Sequence, residues 1–370
     1  MKVLITTGLY PPEIGGPATY SKFLVDQLPR YGYEVEVLAF RDVREYPKLF
    51  RHFMFFFKVL ARGRHADILY AQDTISVGVP TAFANVFLRK KFVLRIPGDH
   101  VWEQGTQRFG VKEMLEDFPL FSSHWHPYLM VLRLLQRFVV KSADLVIVPS
   151  KYLERIVSAW QVEPQRLKLV YNGIEEFKDT GNKPVLRGLL KFQGKLLVSI
   201  GRLVSWKGFA GLIDLMPSLK NDFPDLKLLI VGNGPDLASL EERARKKGLA
   251  DDVIFAGGLE RDVLIRYIRV SDVFVLNSRY EGLSHQLLEV MAVGVPIVAT
   301  KVGGNKEVID HEKNGYLVAP DDAPRMRKYI GELLRNTELR ARITAAGKRK
   351  VKQFSNEKMA QQTAQLFKAL

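Results

Sequence analysis

Short apolar runs alternate with helical patterns along the whole chain, and this alternation restricts the fold more than any other feature. In the first half, strand-like runs fall at 3–7, 34–40, 68–71, 92–96, 145–149 and 167–171; in the second, at 196–200, 226–231, 253–256, 273–277, 296–300 and 316–318. Helical patterns over 20–30, 152–160, 208–220, 235–247, 260–270 and 323–336 fill most of the gaps. Strand, helix and strand in repeated order is the signature of α/β architecture with parallel sheets. At 370 residues the chain exceeds what one hydrophobic core normally supports. Gly, Asn, Asp and Pro gather at 173–194, and the strand pattern restarts at Lys195. The expected fold class is therefore α/β, with two Rossmann-like domains facing each other across a cleft. The first covers 1–175 and the second 176–354, while the helical stretch 355–370 is free to pack back on the first.

Composition excludes several function classes. Hydrophobic content of 47% and charged content of 26% suit a soluble globular protein. No uncharged apolar run reaches transmembrane length, and the N-terminal residues read as a first strand and not as a signal peptide. The chain has no cysteine, which excludes disulfides, thiolate metal sites and a Cys nucleophile. A cytoplasmic protein is the simplest expectation. The net charge of +15 is carried by two stretches, 41–95 and 325–352. Such charge suits nucleic acid, an anionic membrane surface or anionic substrates, and does not choose among them.

The segment Tyr280-Glu281-Gly282-Leu283-Ser284-His285-Gln286-Leu287-Leu288-Glu289 follows an apolar strand and runs into an apolar helix. A turn carrying one acid and a helix carrying another build a ligand site at the carboxyl end of a sheet strand. The amides of Leu283 and Ser284 fall at the helix start, where unpaired N–H groups and the dipole favour an anion. Glu281 and Glu289 are then placed to accept hydrogen bonds from a hydroxyl-rich ligand. Phosphate together with many hydroxyls describes a sugar nucleotide. Taken alone, two solvated glutamates on a strand–loop–helix are the commoner reading, and the surrounding sequence favours the site.

Gly201-Arg202-Leu203-Val204-Ser205-Trp206-Lys207-Gly208 follows the first strand of the second domain. Arg offers a planar fork and Lys a point charge, a combination suited to a pyrophosphate; the alternative is a solvated basic loop. Gly15-Gly16-Pro17-Ala18-Thr19 opens the helix after the first strand, where glycines let a ligand approach the backbone. Val231-Gly232-Asn233-Gly234-Pro235 lacks the third glycine of a dinucleotide fingerprint.

Taken together, these motifs, with Tyr171-Asn172-Gly173-Ile174, the run from Ala292 to Ala299 and Gly303-Gly304-Asn305-Lys306-Glu307, resemble the GT-B-fold retaining glycosyltransferases of family 4. The resemblance is dense over 195–320 and thinner between 41 and 140. It implies that Arg202 and Lys207 hold the donor diphosphate, that Glu289 binds the ribose hydroxyls and that Glu281 contacts the transferring sugar. Backbone groups of Gly16, Gly282, Leu283 and Ser284 would bind phosphate or donor sugar, with the base along the loops at 232–234 and 257–261. It also implies a nucleoside diphosphate sugar as donor substrate, retention of configuration, and no cofactor or essential metal. The chain has no D-x-D motif, and Asp251-Asp252 and Asp321-Asp322 read as turn or cap residues.

Family members often carry a His after the strand that ends here at Ile96; this chain reads Pro97-Gly98-Asp99-His100-Val101-Trp102-Glu103. Asp99 and His100 are both taken as polar groups at that catalytic edge. The stretch from Arg51 to Arg64 sets phenylalanines among cations, the composition of a helix lying on anionic lipid; packing of those rings on the sheet is the alternative. The aromatic stretch 118–140 is expected to lid an acceptor pocket, and His124 and His126 have no companions for a metal site. The resulting expectation is a cytoplasmic enzyme, peripheral at the inner face of the membrane, that moves a hexose to a glycan or lipid-linked acceptor. A GT-B epimerase and a non-catalytic sugar-nucleotide-binding protein attached to membrane are the alternatives. Nucleic acid is not an expected partner, since no recognised module is present.

Overall fold

The computed structural model describes residues 1–13, 15–47, 50–120, 122, 124–175, 177, 183–189 and 193–370; residues 176, 178–182 and 190–192 of the expected linker lie outside them. The chain divides into two compact units, Met1–Gly173 with Ser355–Leu370, and Ile174–Phe354.

The first unit holds β1 (Lys2–Thr7), β2 (Glu34–Ala39), β3 (Ile68–Ala71), β4 (Lys91–Arg95), β5 (Leu145–Val148) and β6 (Leu167–Leu169). They form one parallel sheet in the order β2-β1-β3-β4-β5-β6. The second unit holds β7 (Leu196–Ile200), β8 (Lys227–Val231), β9 (Val253–Phe255), β10 (Val273–Leu276), β11 (Ile297–Thr300) and β12 (Tyr316–Val318). Its parallel order is β12-β11-β10-β7-β8-β9. Every residue of β3, β5, β7, β10 and β11 is buried, as helices on both faces of a parallel sheet require. This double burial is why those strands read as continuous apolar runs.

Strand order reverses between β1 and β3 in the first unit and between β7 and β10 in the second. At such a switch point the loops leaving two adjacent strands diverge, and the space between them is where open α/β sheets bind ligands.

The C-terminal helix, Asn356–Lys368, packs on the first unit. Phe367 meets Tyr33 and Tyr70 edge-on at 5.7 and 5.4 Å, and Tyr33 Oη donates to the Ala364 carbonyl at 3.0 Å. Met359, Ala364 and Phe367 thereby join the core built on β1, β3 and β5.

Helices at Gly78–Leu88, His100–Arg108 and Thr337–Val351 were not legible in the periodicity. The first is apolar over most of its surface and carries Pro80, so no polar face marks it. The aromatic stretch 118–140 also turns out differently. Its second part belongs to the helix Pro127–Ser142, whose Leu129 and Leu132 pack with Val101 and Ile75 in a satellite core of the first unit. Phe118 stacks on Trp125 at 4.7 Å beside that core. These positions are structural packing and not a free lid.

Candidate active site

The two loops at the β7/β10 switch point carry the cations and acids singled out in the sequence, and they are stitched together. After β7 the chain enters Gly201–Gly208, with a short 3-10 turn at Ser205–Lys207. After β10 it enters Asn277–Ser284 before the helix His285–Val293. Arg279 N–H donates to the Trp206 carbonyl at 2.7 Å, and Asn277 Nδ2 donates to the Gly208 carbonyl at 3.0 Å. Gly208 has φ +69°, and a Cβ there would lie 2.0 Å from the Asn277 carbonyl oxygen. Only glycine permits this approach.

Within that frame Lys207 Nζ lies 2.6 Å from Glu281 Oε1. Ser278 Oγ donates to the same oxygen at 2.7 Å. Glu281 is 6% exposed, so the pair is largely desolvated, where charge-assisted bonds are strong and positions well defined. The loop after β11 holds this turn from the other side. Gly304 N–H donates to the Glu281 carbonyl at 3.1 Å, and a Cβ on Gly304 would fall 2.3 Å from the Gly282 carbonyl oxygen. Arg202, exposed on the neighbouring loop, has no ion-pair or hydrogen-bond partner among the described residues.

Ser284 is the N-cap of the helix His285–Val293, yet its hydroxyl does not cap the first-turn amides. It donates instead to Gln286 Oε1 at 3.0 Å. Glu289, one turn into this helix, is 7% exposed. Burial raises its pKa from 4.5 to about 7, opposed only in part by the nearby Arg261 cation. Its carboxyl accepts no hydrogen bond among the described residues, so it is able to accept one from a hydroxyl-bearing ligand.

The structure thus brings Lys207, Glu281, Gly282, Leu283 and Ser284 to one strand edge, with Arg202 and Glu289 on the loop and helix that flank it. Gly16 stands in the first unit, opening the helix Gly16–Gln27 after β1. Asp99 and His100 are separated in role. Asp99 is 1% exposed; Oδ1 accepts from the amides of Val101 and Trp102 at 2.9 and 3.2 Å, and Oδ2 pairs with buried Arg133 at 3.0 Å. A carboxylate so engaged caps the helix His100–Arg108 and neutralises Arg133, which leaves it no free oxygen for a substrate. His100 is half-buried at the first position of that helix. Sequence reasoning missed Ser278 and Asn277, whose partners belong to the same turn or to a loop about 70 residues earlier. A small polar residue just past a buried strand was the available signal.

Two family models account for most of the chain. Residues 14–176 match the family described as Glycosyltransferase Family 4, and residues 188–350 match Glycosyl transferases group 1. An uncharacterized glycosyltransferase of Methanocaldococcus jannaschii is 27% identical over 400 residues, spanning 100% of this chain and 98% of that protein. The GDP-mannose-dependent alpha-(1-6)-phosphatidylinositol monomannoside mannosyltransferase of Mycobacterium tuberculosis is 31% identical over 246 residues, 62% of this chain and 63% of that enzyme. Among solved structures, Anabaena HepE in complex with UDP-glucose matches the fold with a TM-score of 0.79 at 22% identity, covering 100% of both chains. With its two parallel six-stranded Rossmann-like sheets, the chain belongs to the family 4, group 1 glycosyltransferases, has their GT-B fold, and is a glycosyltransferase dependent on a nucleotide-sugar donor.

Proposed function

We propose that this enzyme moves a hexose from a nucleoside diphosphate sugar to a glycan or lipid-linked acceptor, retaining configuration. The observation that carries the reading is the buried Lys207–Glu281 pair at the β7/β10 switch point, with Arg202 exposed on the same loop as Lys207. The relatives support a hexose: HepE was solved with UDP-glucose, and the mycobacterial enzyme uses GDP-mannose. They differ in the base, uracil in one and guanine in the other.

In this reading Lys207 and Arg202 hold the diphosphate, Glu289 meets the ribose hydroxyls, and Glu281 positions the transferring sugar. As the bond from the anomeric carbon to the diphosphate breaks, negative charge builds on the leaving oxygen. The two cations on the loop after β7 would stabilise that charge, the preorganised electrostatics expected to dominate such a step. The acceptor hydroxyl enters on the face that the diphosphate leaves, and the departing phosphate takes its proton. Glu281 Oε1 already holds Lys207 and Ser278. It is therefore read as a positioning residue and not a nucleophile. His100 is the polar group assigned to the first unit, in preference to the capped Asp99. The cation-flanked aromatic helix Arg51–Gly63 suits an acceptor presented at an anionic membrane surface.

A panel of nucleotide sugars screened by thermal shift tests the donor site. The best donor is expected to stabilise the wild-type protein and to lose most of that effect in Lys207→Ala and Glu281→Ala. A donor that stabilises all three proteins equally would sink the site assignment.

A further inference from the structure

The exposed aromatic side chains of the first unit do not belong to one helix. The helix Gly78–Leu88 lies between the helix Arg51–Gly63 and the helix Pro127–Ser142. On one side Phe56 meets Phe87 at 6.2 Å, and Gly63 leaves room for Leu88, which a Cβ there would approach to 2.8 Å. On the other side Phe83 packs on Phe138 at 4.8 Å. Each helix buries apolar side chains in the first unit, including Phe55 and Val59, Ala82 and Ala84, and Leu132 and Val139. Each then presents a second apolar stripe outward, at helical spacing: Phe53 and Phe57, Phe83 and Phe87, Val131 and Leu134. Phe87 is 71% exposed and Leu134 59%. Singly exposed apolar residues are ordinary, but a continuous ridge across three packed helices is not.

The charge on these helices has one sign. None of the three contains an Asp or Glu. Each helix leads directly into a strand of the one parallel sheet, β3, β4 or β5, so all three run in the same direction and end at the same end of the sheet. At those ends stand Arg62 and Arg64, then Arg89, Lys90 and Lys91, then Lys141. The result is an aromatic ridge bordered by cations, on helices that carry no carboxylate themselves; Glu36 beside Arg62 is paired with it, and Asp67 and Asp144 past the helix ends accept backbone amides of β1 and β4.

We propose that this three-helix face docks on an anionic lipid bilayer, with the ridge entering the interface and the cations on the headgroups. Aromatic rings favour that boundary, and basic side chains bordering them add an attraction that salt screens. The charge selects the partner: a neutral apolar surface would not select three helices free of acids. The surface stands without the donor-site reading, because it involves none of the residues assigned there.

Flotation of the full chain with phosphatidylcholine vesicles, with and without phosphatidylglycerol, tests the proposal. Binding is expected only with the anionic lipid, weakening as salt rises. Phe57→Ser/Phe87→Ser/Leu134→Ser is expected to weaken it at least about tenfold. Lys348→Gln/Arg349→Gln/Lys350→Gln, on the other basic stretch, is expected to leave it intact. Because the three apolar positions are exposed, the variant should keep its melting temperature and its stabilisation by donor, which separates loss of docking from loss of the donor site. Phe87→Trp should show blue-shifted fluorescence on anionic vesicles alone. The proposal is overturned if the wild type ignores anionic vesicles or if the triple variant binds unchanged. It is equally overturned if the indole of Phe87→Trp is shielded without lipid, by self-association that the triple variant abolishes.

Discussion

Lys207, Glu281 and Glu289 make different demands on their surroundings, and each can be tested alone. On the proposed assignment, removing the Lys207 ammonium takes away a cation aimed at the developing diphosphate charge. Lys207→Ala is expected to lower kcat by about 10²–10³-fold, a loss typical of a preorganised electrostatic group. Its partner Glu281 would then be buried beside Ser278 alone, so the stability of Lys207→Met should be measured as well. Glu289 predicts a pH effect of definite sign. Its pKa in the folded protein, about 7, is above the ordinary 4.5, so folding favours the protonated form. The stability it contributes is full below about 4.5 and is lost as pH rises through about 7. On the scale of about 1.4 kcal/mol per pKa unit, the loss is on the order of 3 kcal/mol at most. Glu289→Gln should flatten the pH dependence of the denaturant midpoint over that window, measured without nucleotide; an unchanged slope would remove Glu289 as its cause.

At the scale of elements, loops held at van der Waals limits keep these residues in place. A Cβ on Gly234 would lie 2.2 Å from the Leu203 carbonyl oxygen, because the loop after β8 crosses the loop carrying Arg202. Gly234→Ala must push these loops apart, at a cost of about 1–3 kcal/mol, and should weaken donor binding together with stability. The start of the helix His100–Arg108 offers a sharper contrast. Asp99→Ala leaves Arg133 buried without its counter-charge and should destabilise the first unit by about 3–5 kcal/mol. His100→Ala should change the melting temperature little while lowering transfer. If Asp99→Ala instead folds normally and loses only activity, the two roles are reversed.

For the whole molecule, the chain order and the structural units differ. The C-terminal helix follows the second unit in sequence yet packs in the core of the first through Met359, Ala364 and Phe367. Deleting residues 356–370 should therefore expose the region around Tyr33 and Tyr70 and destabilise the first unit, read as faster proteolysis within 1–173 than within 195–350. A donor at about 100 times its Kd should add about 2.7 kcal/mol to the stability of the state that binds it. Protection of the loops at 201–208 and 277–284 from hydrogen exchange would locate that gain.

The amino-acid order by itself determined the strands, because residues buried on both faces of a parallel sheet must be apolar without interruption, as in Leu145–Val148 and Val273–Leu276. It also marked Arg202, Lys207, Glu281 and Glu289 as the candidates proposed for the donor side, since they follow strands at local, readable distances. Tertiary structure alone decided the rest. The periodicity of the segment at 78–88 could not mark it as a helix, for its apolar surface meets a neighbour on each side. Asn277 acquired meaning only when β7 and β10 became neighbours across about 75 residues of chain. Asp99, which the sequence left level with His100, was assigned by Arg133, a partner that only packing brings within 3.0 Å. The physical reason is common to all three cases: local pattern records which faces are buried, while the partner inside each face depends on contacts between distant parts of the chain.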